Sequence, residues 1–221
     1  MNGMHNQEDR ALRQLWGLEV PATRGPRARW TPSQLASAAV DLADEVGLDG
    51  VSLGRVAEHL GMTTTAVYRY VDSKANLVEL MVDAAVGEPP AITGGDWQQR
   101  CRNWVSLLGD RFAEHPWLSE VRPTRMPTQP NAYAWIDALF CAVTDQEGLD
   151  ALRLALLLDS LVRTYASLES GLRGAAPASW LGEAVARRFP RLAAASAQDV
   201  SDARLERDFA VEAVLRGVAQ S

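Results

Sequence analysis

Between Thr63 and Lys74 the chain carries the hydroxyls of Thr63, Thr64 and Thr65, the phenols of Tyr68 and Tyr70, the guanidinium of Arg69 and the ammonium of Lys74. Such groups donate to phosphate oxygens and bond the edges of bases. None is a metal ligand set, and no nucleophile stands beside a general base. The chemistry this spacing points to is recognition rather than bond cleavage.

The elements that must present these groups are legible on either side. Ser52 is placed to cap a helix, because its hydroxyl can accept an orphan backbone N–H of the first turn. Val56, Ala57 and Leu60 follow on one face at helical spacing. Gly61 ends that helix, since glycine takes the left-handed conformation a tight turn requires. Thr63 starts a second short helix with Ala66, Val67 and Tyr70 inward, leaving Thr64, Thr65, Tyr68 and Arg69 outward. Two short helices joined by a glycine turn predict a helix-turn-helix.

Ala66, Val67, Tyr68, Arg69, Tyr70, Ser73 and Lys74 form a longer pattern that resembles the tetracycline-repressor (TetR) family of bacterial transcription regulators. The resemblance runs from the helix at Thr31–Val46 through TTTAVYRYVDSKANLVELMVDA. It implies a repressor that a small molecule releases, a homodimer built on the late helices, and a lysine at position 74 on the DNA backbone. Tyr68, Tyr70 and Lys74 are then expected on phosphates, with Thr64, Thr65 and Arg55 near bases. At Gly54 the chain departs from tetracycline repressors, which carry a base-contacting arginine there; Arg55 is the substitute in reach. The histidine through which those repressors bind drug and magnesium has no clear counterpart here.

Thr31-Pro32-Ser33-Gln34 reads as a capping box with proline at the first helical position. Leu35, Ala38, Ala39, Leu42, Ala43 and Val46 then recur with a helical period. Thr31 also stands where a helix N-terminus could meet a phosphate. Arg24, Arg27 and Arg29 lie in a Gly- and Pro-containing arm before this helix, suited to a minor groove or to service as a solvated linker. Ser73 caps a further helix with Leu77, Leu80, Met81 and Ala84 as its apolar stripe. The residues expected to touch DNA are Arg27, Arg29, Thr31, Ser52, Arg55, Thr63, Thr64, Thr65, Tyr68, Arg69, Tyr70 and Lys74.

Glu88-Pro89-Pro90 and Gly94-Gly95 interrupt the helical pattern. They divide the chain into an extension (1–23), a helix-turn-helix domain with its arm (24–88) and a larger helical domain for ligand binding and dimerisation (89–221). Glu8–Gly17 could form a short helix with Leu12, Leu15 and Trp16 on one side, or an extension that packs loosely. In the large domain Trp97, Cys101, Trp104, Val105, Leu108 and Phe112 share a face, as do Trp135, Ile136, Leu139, Phe140 and Val143. A helix over Asp150–Leu172 is apolar nearly all round and so must be covered on several sides. Asp202–Val218 is the last helix, with Val211 and Leu215 expected at the dimer interface. Pro177 and Pro190 bracket a shorter segment, and Ala193–Ala197 reads as a loop.

Trp104, Phe112, Trp117, Tyr133, Trp135 and Tyr165 are either plain core or the wall of a ligand cavity. Asp159 and Arg163, four apart on one helix, are either a structural ion pair or the polar anchor of that cavity. His115 before Pro116 is read as a helix-end residue satisfying carbonyls rather than a metal ligand.

With 221 residues and 47% hydrophobic residues the chain is an ordinary globular one. Its net charge of −6 excludes a protein that coats nucleic acid indiscriminately. Residues 24–80 hold six basic side chains against seven acidic, a balance of −1, so DNA binding must rest on where charges sit. Cys101 and Cys141 are expected as buried free thiols, no apolar run is long enough for a membrane, and the expected location is cytoplasmic. No strand pattern, phosphate loop, zinc spacing or catalytic motif is present, and no cofactor or metal is expected.

The sequence therefore predicts an all-α protein of nine or ten helices, with an N-terminal three-helix helix-turn-helix domain and a larger helical domain. The expected function is that of a non-enzymatic, ligand-responsive DNA-binding regulator, with a palindromic double-stranded operator and a second copy of itself as partners. The competing expectation is a small-molecule-binding or interaction protein whose helix-turn-helix no longer reads DNA specifically.

Overall fold

A computed structural model describes residues 10–18, 30–123, 125–172, 178–195 and 202–220. The basic arm, with Arg24, Arg27 and Arg29, lies outside the described residues. The described part is all α-helical, with no strand among those residues. Helix α1 spans Arg10–Leu15, α2 Pro32–Val46, α3 Leu53–His59, α4 Thr64–Val67 and α5 Lys74–Val86. The larger part contains α6 (Trp97–Glu114), α7 (Pro130–Ala142), α8 (Ala151–Leu172), α9 (Leu181–Arg188), α10 (Pro190–Ala195) and α11 (Ala203–Val218). Short 3-10 turns cover Leu48–Gly50 and Pro116–Glu120.

The starts of α2, α3, α4, α5, α6 and α11 follow from a hydroxyl or carboxylate at the cap, whereas α7 and α9 begin without a side-chain cap bond. Thr31 and Gln34 complete the capping box of α2. Ser52, Thr63, Ser73, Asp96 and Asp202 accept backbone N–H groups at the starts of α3, α4, α5, α6 and α11. These bonds satisfy donors that the helix itself leaves orphaned. Gly61, at φ +62°, makes the turn between α3 and α4, a conformation that costs a residue with a Cβ about 1 kcal/mol or more.

Helix α5 is the shared element. It packs against α1, α2, α6 and α7, and buried apolar side chains run as one continuous cluster from Ala11 to Leu215. In the larger part α8 packs against α6, α7 and α11. Trp104 and Trp135 meet edge to face at 5.8 Å in its centre.

Several sequence expectations change in place. Ala84 is exposed and Ala85 buried, because contact with α7 draws the inner face of α5 to Asp83 and Val86. Val46 and Phe140 are exposed, at the end of α2 and on the outer side of α7. Cys101 is buried, but Cys141 is exposed beside Phe140. Of the loop expected at Ala193–Ala197, residues 193–195 belong to helix α10, and 196 and 197 lie outside the described residues. Proline is tolerated at the first helical position and alanine is the best helix former, so small side chains did not mean an irregular chain there.

The largest change concerns α11. Val211 and Leu215 are fully covered within one subunit, whereas Leu205 and Phe209 point out. Because α11 packs on α8 and α6, the face that carries Val211 and Leu215 is core. Leu215→Ala should therefore lower the free energy of unfolding by about 2–5 kcal/mol, as truncation of a fully buried leucine does. Urea denaturation measures this, and a loss below 1 kcal/mol would return Leu215 to the surface.

Candidate nucleic-acid interface and effector domain

The outward groups of the helix-turn-helix are brought together as the sequence predicts. Thr64, Thr65, Tyr68, Arg69 and Lys74 are all exposed, and Tyr70 is half-buried with its ring on the core. The hydroxyls of Ser52, Thr63 and Ser73 accept the amides of Arg55, Ala66 and Asn76 at 3.2, 3.2 and 3.0 Å. With Thr31 they form a set of four capping hydroxyls. Accepting a cap bond leaves each O–H free to donate outward. A phosphate that meets them thus finds donors at helix N-termini, where the backbone dipole favours anions. Lys74 is the first residue of α5, where its charge opposes that dipole, and it stands exposed beside the Ser73 cap.

Arg55 is held differently from the expectation of a free base reader. Its Nη1 donates to the Gly50 carbonyl at 2.8 Å, which ties it to the turn before α3. At Gly54 a Cβ would meet only ordinary van der Waals contacts, the nearest being Ser52 Oγ at 3.9 Å. Packing therefore does not demand glycine there.

The aromatics of the larger part do not wall one cavity. Trp104 donates its indole N–H to the Trp135 carbonyl at 2.8 Å, and Trp135 donates to the Gly87 carbonyl at 2.9 Å. Trp117 donates to Asp44 Oδ1 at 2.8 Å. All three rings are buried core, and each N–H is committed to a structural acceptor. Tyr133 lies on the surface against Trp16. Asp159 and Arg163 are the structural ion pair, 2.8 Å apart, with the guanidinium stacked 5.4 Å from the Phe112 centroid. Only Phe112 and Tyr165 of the expected set border a shared cleft. It lies between α6, α8 and α11, has Arg204, Arg207 and Glu169 on its rim, and encloses about 20 Å³.

Two polar clamps join the small and large parts, and sequence reasoning missed both. In the first, Asp44 of α2 accepts from Trp117 and from His115 Nδ1 at 2.9 Å. His115 thus meets a carboxylate across the junction rather than the carbonyls of its own helix end. In the second, the buried Asp83 of α5 accepts the Asn131 backbone N–H at 2.8 Å and its side-chain amide at 3.2 Å. An aspartate in an apolar helix face followed by an isolated Pro-Asn helix start was the available signal. A single chain does not reveal that the two meet.

Burial raises the Asp83 carboxyl above its ordinary range, opposed in part by the Asn131 amide. Burial likewise pushes the Cys101 thiol up to about 12, so it stays protonated and inert. On the surface, Arg100 lowers the Asp145 carboxyl and Arg102 lowers that of Glu212, through hydrogen-bonded ion pairs. Among the described residues no group of three or more His, Cys, Asp or Glu could hold a metal ion, and no helix is long and apolar enough to cross a membrane.

Residues 35–81, which contain the capped helix-turn-helix, match the family model described as bacterial regulatory proteins of the tetR family. The repressor DrrR1 of Streptomyces coeruleorubidus is 32% identical over 161 residues, or 69% of this chain and 58% of that protein. Residues 35–81 are thus a TetR-family domain. The Mycobacterium tuberculosis repressor Rv1353c is 31% identical over 117 residues, half of this chain and 45% of that one. The chain thus spans about half the length of the curated relatives it matches. Among solved structures, the TetR family protein ActR of Streptomyces coelicolor in complex with actinorhodin aligns at a TM-score of 0.74. It is 22% identical, over 87% of this chain and 96% of that one, a likeness of TetR fold.

The Asp83 clamp makes stability depend on pH. With its proton affinity raised in the folded state, Asp83 binds more protons folded than unfolded. Its contribution to stability is greatest in acid and falls as pH rises through the raised value. Asp83→Asn removes that titration. Urea unfolding from about pH 4 to 7 should show wild type losing stability relative to the variant as pH rises. A difference that is flat or grows with pH would contradict the assignment.

Proposed function

We propose that the chain is a DNA-binding transcriptional repressor that acts as a homodimer on a palindromic operator and is released by a small molecule. One observation carries this reading: five exposed donor side chains and four capping hydroxyls converge on the helix-turn-helix, around the chain's only lysine. The identity with DrrR1 and Rv1353c, both named as repressors, supports it.

The roles divide by chemistry. Tyr68, Tyr70 and Lys74 hold phosphates, while Thr64 and Thr65 approach bases; Arg55 reaches them on releasing Gly50. Arg69 and the hydroxyls of Thr31, Ser52 and Thr63 add backbone contacts. Lys74→Ala should weaken binding to all sequences alike and lower the slope of log affinity against log salt by about one. Gel shifts at several salt concentrations, with duplexes enriched from a random pool, make the measurement. The acidic balance of residues 24–80 favours a second reading, a helix-turn-helix without sequence preference. Enrichment of no sequence from the pool would establish that alternative.

A single recognition helix reads few base pairs, so a two-fold pair is required. Leu152, Leu156, Leu157, Leu168 and Leu172 on α8 and Leu205 and Phe209 on α11 remain exposed in one subunit. These two packed helices present the apolar face that a second copy covers. Leu205→Glu combined with Phe209→Glu should yield folded monomers by light scattering and abolish operator binding. A dimer of unchanged affinity would place the interface elsewhere.

Effector binding falls to the cleft between α6, α8 and α11, where Phe112 and Tyr165 come together; the ActR–actinorhodin complex supports only that a protein of this fold takes a small molecule. At about 20 Å³ the cleft holds no more than one water, so a ligand must open it. Phe112 and Tyr165 suit an aromatic ligand, and the exposed Arg204 suits a polar group on it. Pro116 borders the cleft between His115 and Trp117, the two partners of Asp44. Ligand entry there bears directly on the α2 clamp, and a coupling of about 1–3 kcal/mol would change operator affinity by roughly 5–150-fold.

A further inference from the structure

Helix α1 precedes the helix-turn-helix and has no part in the roles above. It is nonetheless seated in the core. Ala11 and Leu12 are buried, and the helix packs on both α2 and α5. The chain then turns at Gly17 (φ +67°), and Trp16 leaves the small part altogether. Its indole N–H donates to the Thr128 carbonyl at 2.8 Å, and its ring meets Tyr133 edge-on at 5.5 Å. Tyr133 in turn donates its hydroxyl to the Pro127 carbonyl at 3.1 Å. The same segment carries Asn131, the partner of Asp83 near the end of α5. Residues 127–133 therefore grip α5 directly through Asn131 and indirectly through Trp16 and α1.

We propose that residues 10–18 are an interdomain tether. They hold α5 and the 127–133 segment in one arrangement, so that movement of α5 relative to the large domain requires Trp16 to disengage. The physical reason lies in what each contact constrains. Asn131 on Asp83 and Trp135 on Gly87 both hold the last turn of α5 from α7, and an ion pair joins Glu79 to Arg125; these links lie along α5 itself and leave rotation about its end open. Helix α1 lies on α5 and α2 and is anchored beyond them at Thr128 and Tyr133. This second attachment, off the axis of the first, opposes that rotation. An edge-on aromatic contact and an exposed hydrogen bond are each modest, so the tether is weak enough to be released in normal operation. The consequence for regulation rests on the repressor reading above. The tether itself does not, and its test uses no DNA.

Hydrogen exchange followed by mass spectrometry on the full chain is the experiment, with Trp16→Ala, Trp16→Phe, Tyr133→Leu and the Trp16→Ala/Tyr133→Leu double variant. Trp16→Ala and Tyr133→Leu should each speed exchange at Val82–Gly87 and at 128–133, by about five- to a hundredfold for Trp16→Ala. The double variant should exchange no faster than Trp16→Ala, since both changes cut one link. Amides of α8 from Leu158 to Val162 should keep their protection. Faster exchange confined to residues 10–18, or additive effects of the two substitutions, would overturn the proposal. Should α8 also loosen in Trp16→Ala, Trp16→Phe decides. It keeps a ring against Tyr133 and loses only the N–H bond, so a smaller acceleration in the same amides supports the tether, and none there refutes it.

Discussion

A buried carboxylate is the constraint around which the molecule is arranged. Asp83 sits near the end of α5, removed from water, and burial of a charge is costly unless it is hydrogen-bonded. The amides of Asn131 meet that need, and they come from the first turn of α7, where the helix dipole favours a negative charge. One turn later Gly87 ends α5, and its carbonyl takes the Trp135 indole N–H. The end of α5 is thereby bolted to the large domain by polar bonds whose geometry admits little slack. The start of the same helix bears Lys74. Thirteen residues of helix make a rigid rod of about 20 Å. A small angular change at the bolted end becomes a displacement of several ångströms at the lysine, on the scale that separates a made phosphate contact from a lost one.

Tryptophan performs this joining work throughout. Each indole is large enough to fill core volume and carries one N–H that must be satisfied when buried. Here Trp104, Trp135 and Trp117 direct that N–H across an element boundary, to another helix, to the end of α5 and to Asp44 of α2. The rings supply apolar burial while the single polar handle sets orientation. That division explains why Trp104, Trp117 and Trp135 wall no cavity: their aromatic surface is already spent on the core. On the proposed reading, an effector entering between α6, α8 and α11 would have to separate packed side chains, which would link its binding to the rest of the molecule.

Charge placement eases the tension between an acidic chain and the nucleic-acid partner proposed for it. The total is negative, and Glu58 and Asp72 are exposed in the helix-turn-helix, yet α4 and the start of α5 present the hydroxyls of Thr64 and Thr65, the phenol of Tyr68, the guanidinium of Arg69 and the ammonium of Lys74. Several carboxylates of the same region are turned to structural tasks. Asp44 accepts from His115 and Trp117, and Asp83 from Asn131. A repulsive charge bonded to donors elsewhere presents less of its field to a polyanion, and screening at physiological salt confines what remains to about 8 Å.

The amino-acid sequence by itself determined every element whose cause is local. Capping hydroxyls at Thr31, Ser52, Thr63 and Ser73, the turn at Gly61 and the helical period of Leu35–Ala43 depend on neighbours within a few residues, so helix-turn-helix and outward donors were legible at once. The pattern at Ala66–Lys74 also carried the family. Tertiary structure alone decided which partner covers each face. Val211 and Leu215 look no different in sequence from Leu205 and Phe209, because all four are apolar side chains on one helix with apolar neighbours on more than one side. Only the position of α8 and α6 makes two of them core and leaves the other two in solvent. The same holds for Trp16, Asp44, Asp83 and His115, whose partners stand 48 to 112 residues away along the chain. Helical periodicity specifies which side of a helix is buried; it does not specify against what, and the long-range hydrogen bonds that join the two parts of this protein exist only once that choice has been made by packing.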